Sequence, residues 1–245
     1  MVQVVESLIE RRLLVNYRID PDRVAPLLPP GLRPQLQRGF AVGGMCLLRL
    51  SRLRVPALPR GLGLRSENAA HRFAVEWDDD AGTQVGVYVP RRDTGSALAR
   101  RAGGLLFPGR YEPARFTVDE RLGSVAVEVA STDGRVRLGV RATEADELGG
   151  ELFDSLDEAL GFFRRGSLGL SPSRRAGYLD RVRLESLHWE GRPMAIEEMS
   201  SSLFDDEGIF PRGSCVLDSA VVMRDLPVRW VADSSSCFHH GVLAA

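Results

Sequence analysis

Arg91-Arg92-Asp93 sets two guanidiniums and a carboxylate on consecutive residues after the apolar run Val85–Val89. A guanidinium is a rigid fork of donors that matches a carboxylate or phosphate in bidentate fashion. Neighbours on a strand point to opposite faces, so only one of the two arginines can enter a pocket. The residues leave open which one. They also leave open an ordinary ion pair to Asp93, with the second arginine in solvent. Tyr111-Glu112 offers a phenol and a carboxyl that could orient a carbonyl or protonate an enolate, or simply line a wall. Glu67 and His71-Arg72 stand together at a strand entry. A histidine near a carboxylate can work as an acid or base near neutral pH, although a salt bridge beside a surface histidine is the simpler reading. In His188-Trp189-Glu190, a strand would put His188 and Glu190 on one face, able to hold a hydroxyl or two bonds of a metal. A metal needs a third ligand, and none stands at a recognisable spacing, so no metal is expected. His239-His240 beside Cys237 reads as a disordered end. The candidate ligand-binding residues are therefore Arg91, Arg92, Tyr111, Glu67, Arg72 and His188, with no residue assigned a catalytic role.

The composition removes one branch of chemistry. All 32 basic residues are arginine. Without a lysine side chain, no desolvated amine is available to attack a carbonyl and form a Schiff base. Gly61-x-Gly63 and Gly103-Gly104 lack the strand–glycine–helix context of a phosphate loop. No Gly-x-Ser-x-Gly nucleophile elbow occurs. Cys46 lies in an apolar segment without a nearby base and reads as buried and inert. The net charge of -1 gives no global pull towards nucleic acid or an anionic membrane. Three scattered cysteines, an N-terminus without a signal-peptide pattern and no apolar run of about 18 residues point to a reduced, cytoplasmic, membrane-free protein.

These residues must be positioned by strands. Residues 11–19 are β-prone and run into Asp20-Pro21, a cap and first-turn pair for a short helix over 22–28. Residues 39–53 form a long apolar strand, in which Gly43-Gly44 predicts a bulge or a close backbone approach. Strands around 70–77 and 84–91 flank a turn at 78–82. A helix is expected over 94–103. The alternating valines of 125–142 around Asp133-Gly134 predict an antiparallel hairpin. Residues 154–165 predict an amphipathic helix. Three more strands are expected over 181–189, 193–204 and 214–222. One mainly β (α+β) domain over 1–245, with a core of about 8–230, is the simplest organisation, and a barrel removes the exposed edges of so many strands.

Several stretches carry a resemblance. Tyr17-Arg18-Ile19-Asp20-Pro21 and Leu27-Leu28-Pro29-Pro30-Gly31-Leu32 resemble the opening of acetoacetate decarboxylase-like proteins. Glu67–Arg72, Gly86-Val87-Tyr88, Arg91-Arg92-Asp93, Phe107–Tyr111 and His188–Gly191 resemble its YqjF-like branch, domain of unknown function 2071. The resemblance implies a cone-shaped β-barrel with a few short helices and a central pocket. In the decarboxylase a barrel lysine attacks the keto carbon. This chain has no lysine, so the scaffold carries over and that mechanism does not. The expectation is a small-molecule-binding barrel for an anionic ligand, acting as a lysine-independent lyase or hydratase on an oxo-acid or related metabolite. The alternatives are a non-catalytic carrier or sensor, and a structural partner-binding domain. No cofactor is expected, and self-association is left open.

Overall fold

The computed structural model describes residues 2–54, 65–97, 110–233, 237–239 and 242–244. Strand β1 (Val2–Ile19) leads through Asp20 into helix α1 (Pro21–Val24) and a 3-10 turn (Ala25–Leu27). Asp20 Oδ1 accepts from the Asp22 N–H at 3.0 Å, the cap that Asp-Pro forecasts. The helix is shorter than 22–28 because its second half tightens to the 3-10 form before Pro29-Pro30. Short strands β2 (Arg33–Pro34) and β3 (Leu36–Gln37) precede β4 (Phe40–Arg54), β5 (Ser66–Asp79) and β6 (Gly82–Thr94). Then come β7 (Tyr111–Arg121), β8 (Ser124–Ser131), β9 (Arg137–Glu144), helix α2 (Leu156–Arg165), β10 (Leu168–Pro172) and β11 (Tyr178–Glu185). The chain ends with β12 (Arg192–Ser201), β13 (Cys215–Asp233), β14 (Cys237–His239) and β15 (Val242–Ala244).

The strands form one continuous sheet that closes twice. β5 pairs with β6, which closes a ring β6-β7-β8-β9-β12-β13-β1-β4-β5. β10 pairs in parallel with β6, while β11 pairs with both β10 and β13. That closes a second ring, β6-β10-β11-β13-β1-β4-β5. The two rings share five strands, β13, β1, β4, β5 and β6, whose alternate residues therefore face two different interiors. Odd-numbered Leu13, Val15, Met45, Leu47, Ala69 and Phe73 enter the first core, with Val125, Val127, Val129, Leu138 and Val140 opposite them. Leu14, Cys46 and Ala74 face the other way, against Phe162 and Phe163 of α2. This double use explains why β4 reads as a near-continuous apolar run rather than simple alternation.

The 125–142 hairpin pairs Val125 with Ala142, Val127 with Val140 and Val129 with Leu138. Gly134 takes φ 72 in its turn, a left-handed conformation that glycine adopts without strain. At Gly44 a Cβ would collide with the Val15 carbonyl oxygen, which is the close backbone approach the glycine pair predicts. The helix over 154–165 begins at Leu156, where Ser155 caps it by accepting from the Glu158 N–H. The helix expected over 94–103 falls largely outside the described residues. β1 starts at Val2, nine residues before the β-prone stretch expected over 11–19, because its first half pairs with β13 as far as Asp233. The segment 237–239, expected as a disordered end, instead forms β14 against β11. β11 ends at Glu185, so His188 and Glu190 lie in an irregular loop beyond it rather than on a strand.

His71 corrects another expectation. It is 4% exposed, not a surface residue, and its Nε2 has no partner among the described residues. Its ring lies 6.0 Å from that of Phe204 in the first core. Burial, aided by the Arg91 guanidinium, pushes its pKa down to about 4. The unfolded chain therefore takes up a proton near pH 6.5 that the folded chain refuses until about pH 4. Stability should fall as pH is lowered through that window, by about 3 kcal/mol at its foot. Thermal melts of wild type and His71→Leu between pH 7 and pH 4 should show a shallower slope for the variant. Parallel slopes would remove His71 from the acid response.

Candidate functional site

The second ring holds a cavity of about 150 Å³ that is partly open to solvent. Space of that size accommodates about five waters, or a ligand of roughly benzene's bulk. All seven strands contribute to the wall. They supply Arg12 from β1, Cys46 and Leu48 from β4, Arg72 from β5, Arg92 from β6, Gly169 from β10, Leu184 from β11 and Trp230 from β13. The wall is otherwise mostly aliphatic. Among the described lining residues there are three arginines and no aspartate or glutamate.

Strand parity decides which candidate arrives here. In the doublet Arg91-Arg92, Arg92 enters the cavity. Its Nη1 bonds to the Ser171 hydroxyl, and its guanidinium lies 5.8 Å from the centre of the Tyr111 ring. Tyr111 is its register partner on the parallel strand β7 and also lines the cavity. Burial raises the Tyr111 pKa, with Arg92 pulling the other way, so the phenol stays protonated and able to donate at neutral pH. Arg91 faces the opposite interior. It bonds Asp93 through Nη2 at 2.8 Å and Asp133 through Nη1 at 2.8 Å, which ties β6 to the β8–β9 turn.

Arg72 is 5% exposed and lines the cavity. Its Nη2 bonds Asn16 Oδ1, its guanidinium lies 4.8 Å from the Phe163 ring centre, and its Nε has no partner among the described residues. Burial lowers its pKa to about 10, opposed by Cys46 and aided by Arg12, and it remains cationic at neutral pH. Arg12 is a wall residue that the motif reading missed. It stacks 5.3 Å from the Trp189 ring, and its Nε and Nη1 have no partner among the described residues. The available signal was a second arginine doublet, Arg11-Arg12, at the head of an apolar strand. Cys46 is buried, as expected, and its thiol belongs to the wall of this cavity.

Glu67 and His188 lie elsewhere. Glu67 sits on the first-ring face, where it accepts from Arg11 at 2.6 Å and from Arg49 at 2.5 Å. Glu120 joins the same cluster through Arg11, Arg49 and Arg224. Burial alone would raise the Glu120 pKa, but the three arginines outweigh it and hold it low. His188 is exposed, and its backbone N–H bonds to Ser186 Oγ at 3.3 Å. Of the His188–Glu190 stretch, Trp189 is the residue that approaches the wall, through Arg12.

Comparison with known proteins matches this architecture. The model of domain of unknown function 2071, an uncharacterized conserved protein family, matches residues 8–222, and the chain belongs to that family. Acetoacetate decarboxylase from Legionella pneumophila superposes with a TM-score of 0.57 at 10% identity, covering 98% of this chain and 87% of that one. An acetoacetate decarboxylase-like enzyme from Sphingomonas wittichii gives 0.58 at 16% identity, covering 97% and 93%. The enduracididine biosynthesis enzyme MppR complexed with pyruvate gives 0.55 at 13% identity, covering 94% and 88%. No curated protein matches the sequence. The fold is that of the acetoacetate decarboxylase-like superfamily, mainly β with a few short helices.

Proposed function

We propose that this member of the domain of unknown function 2071 family binds a small anionic metabolite in the lumen of its second ring, with Arg92 as the anchor. One observation carries the reading. Arg92 is a guanidinium with no carboxylate partner among the described residues, held by Ser171 and Tyr111 in an otherwise largely apolar cavity. Arg92 is half-buried, with a hydroxyl and a phenol ring as its neighbours, and an entering carboxylate would supply the charge-assisted, bidentate partner that these neutral groups do not. Arg72 borders the same space, whereas Arg91, Glu67 and His188 take no part. The pyruvate complex of MppR lends the proposal a small oxo-acid precedent on the same fold. A cytoplasmic location fits the scattered cysteines.

A lysine-independent lyase or hydratase is the catalytic form of this reading, and a carrier or sensor is its passive form. The Arg92–Tyr111 pair favours the catalytic form. The arginine would hold a carboxylate while the neutral phenol donates to the developing oxygen of an adjacent carbonyl or enolate. Isothermal titration with a panel of oxo-acids, followed by product analysis, separates the two. Binding without turnover across the panel leaves the carrier, and no binding at all removes the proposal.

Whichever form holds, the imine route is closed to side chains. Borohydride reduction in the presence of β-keto acids should leave no adduct on a cavity residue, because arginine stays protonated and the α-amino group of Met1 is the one amine on offer. A stable adduct mapped to a cavity residue would contradict this.

A further inference from the structure

The cavity holds more positive charge than one carboxylate can answer. Arg12, Arg72 and Arg92 all line it, and none of the three forms a salt bridge to a carboxylate among the described residues. They fall into two groups. Arg12 and Arg72 act on each other electrostatically and stack on Trp189 and Phe163 respectively. Arg92 turns instead to Ser171 and Tyr111. Cys46 and Ala70 lie between Leu14 and Arg92 in one cross-strand row, so small side chains occupy the floor between the groups. Leu48, Val89 and Leu184 supply apolar wall.

Three donor atoms of Arg12 and Arg72 find no acceptor among the described residues: Arg12 Nε, Arg12 Nη1 and Arg72 Nε. A buried donor without an acceptor is costly, and these belong to charged groups. A monoanion seated on Arg92 would leave the Arg12–Arg72 pair uncompensated. The carboxylates on the opposite face of the sheet, Glu67 of β5 and Glu120 of β7, do not serve them either, because they are already held by Arg11, Arg49 and Arg224.

From this, and resting on the anion-binding reading above, we infer that the ligand is a small dicarboxylate, with one carboxylate on Arg92 and Tyr111 and the other on Arg12 and Arg72, joined by a short apolar spacer. The spacer lies along Ala70 and the aliphatic wall.

The test is calorimetric titration of the full chain, at fixed pH and ionic strength, with malonate, succinate, glutarate and adipate. Monocarboxylates of equal chain length and inorganic phosphate serve as the comparison arms. The expected result is an optimum chain length at which the diacid binds roughly tenfold or more tightly than its monoacid, since a second charge-assisted contact is gained. Phosphate, a compact dianion, should bind no better than the monoacids. Arg72→Gln and Arg12→Gln should each collapse the diacid advantage. Circular dichroism verifies their folding, and two independent variants guard against the failure of one. Equal binding of mono- and diacids, or no optimum in chain length, overturns the dicarboxylate assignment while leaving anion binding intact. Absence of binding in every arm overturns the anion-binding reading itself.

Discussion

Replacing Arg92 by glutamine is expected to weaken anionic ligand binding by about 30-fold or more. Truncating one partner of a buried, hydrogen-bonded charge pair costs about 2–5 kcal/mol, because the other charge is left in a site it no longer fits. In the free protein the same change should be mild. Arg92 has no carboxylate to orphan among the described residues, and its neighbours are a hydroxyl and a phenol ring, neither of them charged. Loss of affinity without loss of melting temperature is therefore the signature. Arg92→Lys should recover only part of the affinity, since an ammonium keeps the charge but not the planar fork. Titration calorimetry paired with thermal melts reads both quantities. An Arg92→Gln protein that binds as tightly as wild type would move the site elsewhere.

The same arginine shows where the sequence speaks and where it stops. Parity alone says that Arg91 and Arg92 part company, and it says nothing about which side of β6 faces which interior. That is fixed by ring closure, through the parallel contact of β10 with Val87 and Tyr88 and through the β5–β6 pairing, with an irregular register between His71 and Phe73. The β10 contact joins residues far apart in sequence and leaves no local pattern, whereas the β5–β6 hairpin is announced by its turn at 78–82. The local devices are legible: the Asp133-Gly134 turn, the Asp20 and Ser155 caps, and Gly44 at its crossing with Val15. The mainly β architecture is legible through the ordered motifs of the resemblance.

Double-faced strands explain the misplacements. Glu67 and Arg72 look like neighbours of one site, but five residues apart on one strand puts them on opposite faces, one in an arginine cluster and one in the cavity. Arg11 and Arg12 split in the same way, and Arg12 was overlooked because its doublet lay outside the recognised motifs. His188 looked placed because the β-prone run continues past Glu185. The strand ends there, and Ser186 turns the chain by bonding its Oγ to the His188 and Pro227 carbonyls.

Arg91, the partner of Arg92 in sequence, should behave in the opposite way. Arg91→Ala is expected to destabilise the fold by about 3–5 kcal/mol, the cost of breaking a buried ion pair from one side. Asp93 is fully buried, and Arg91 is the cation that bonds it, through Nε at 3.0 Å and Nη2 at 2.8 Å. The same guanidinium reaches Asp133, so its removal also frees the β8–β9 turn from β6. The deficit should depend on pH with a definite sign. Burial already raises the Asp93 pKa in spite of Arg91, and without the arginine it rises further. An acid whose folded pKa lies above its unfolded value loses stability as pH rises from the unfolded pKa through the folded one. Arg91 also holds Asp133 well below the ordinary carboxylate range, with help from Ser131, and that contribution is present only while Asp133 is ionised. Both effects make the variant's deficit largest near neutral pH and smaller near pH 4. Denaturant unfolding of wild type, Arg91→Ala and the double variant Arg91→Ala/Asp93→Asn at the two pH values tests this. The double variant should regain much of the loss, since an amide needs no counter-charge. Folded Arg91→Ala should still bind the anion that Arg92→Gln has lost. A stable Arg91→Ala protein that no longer binds would reverse the roles assigned to the two arginines.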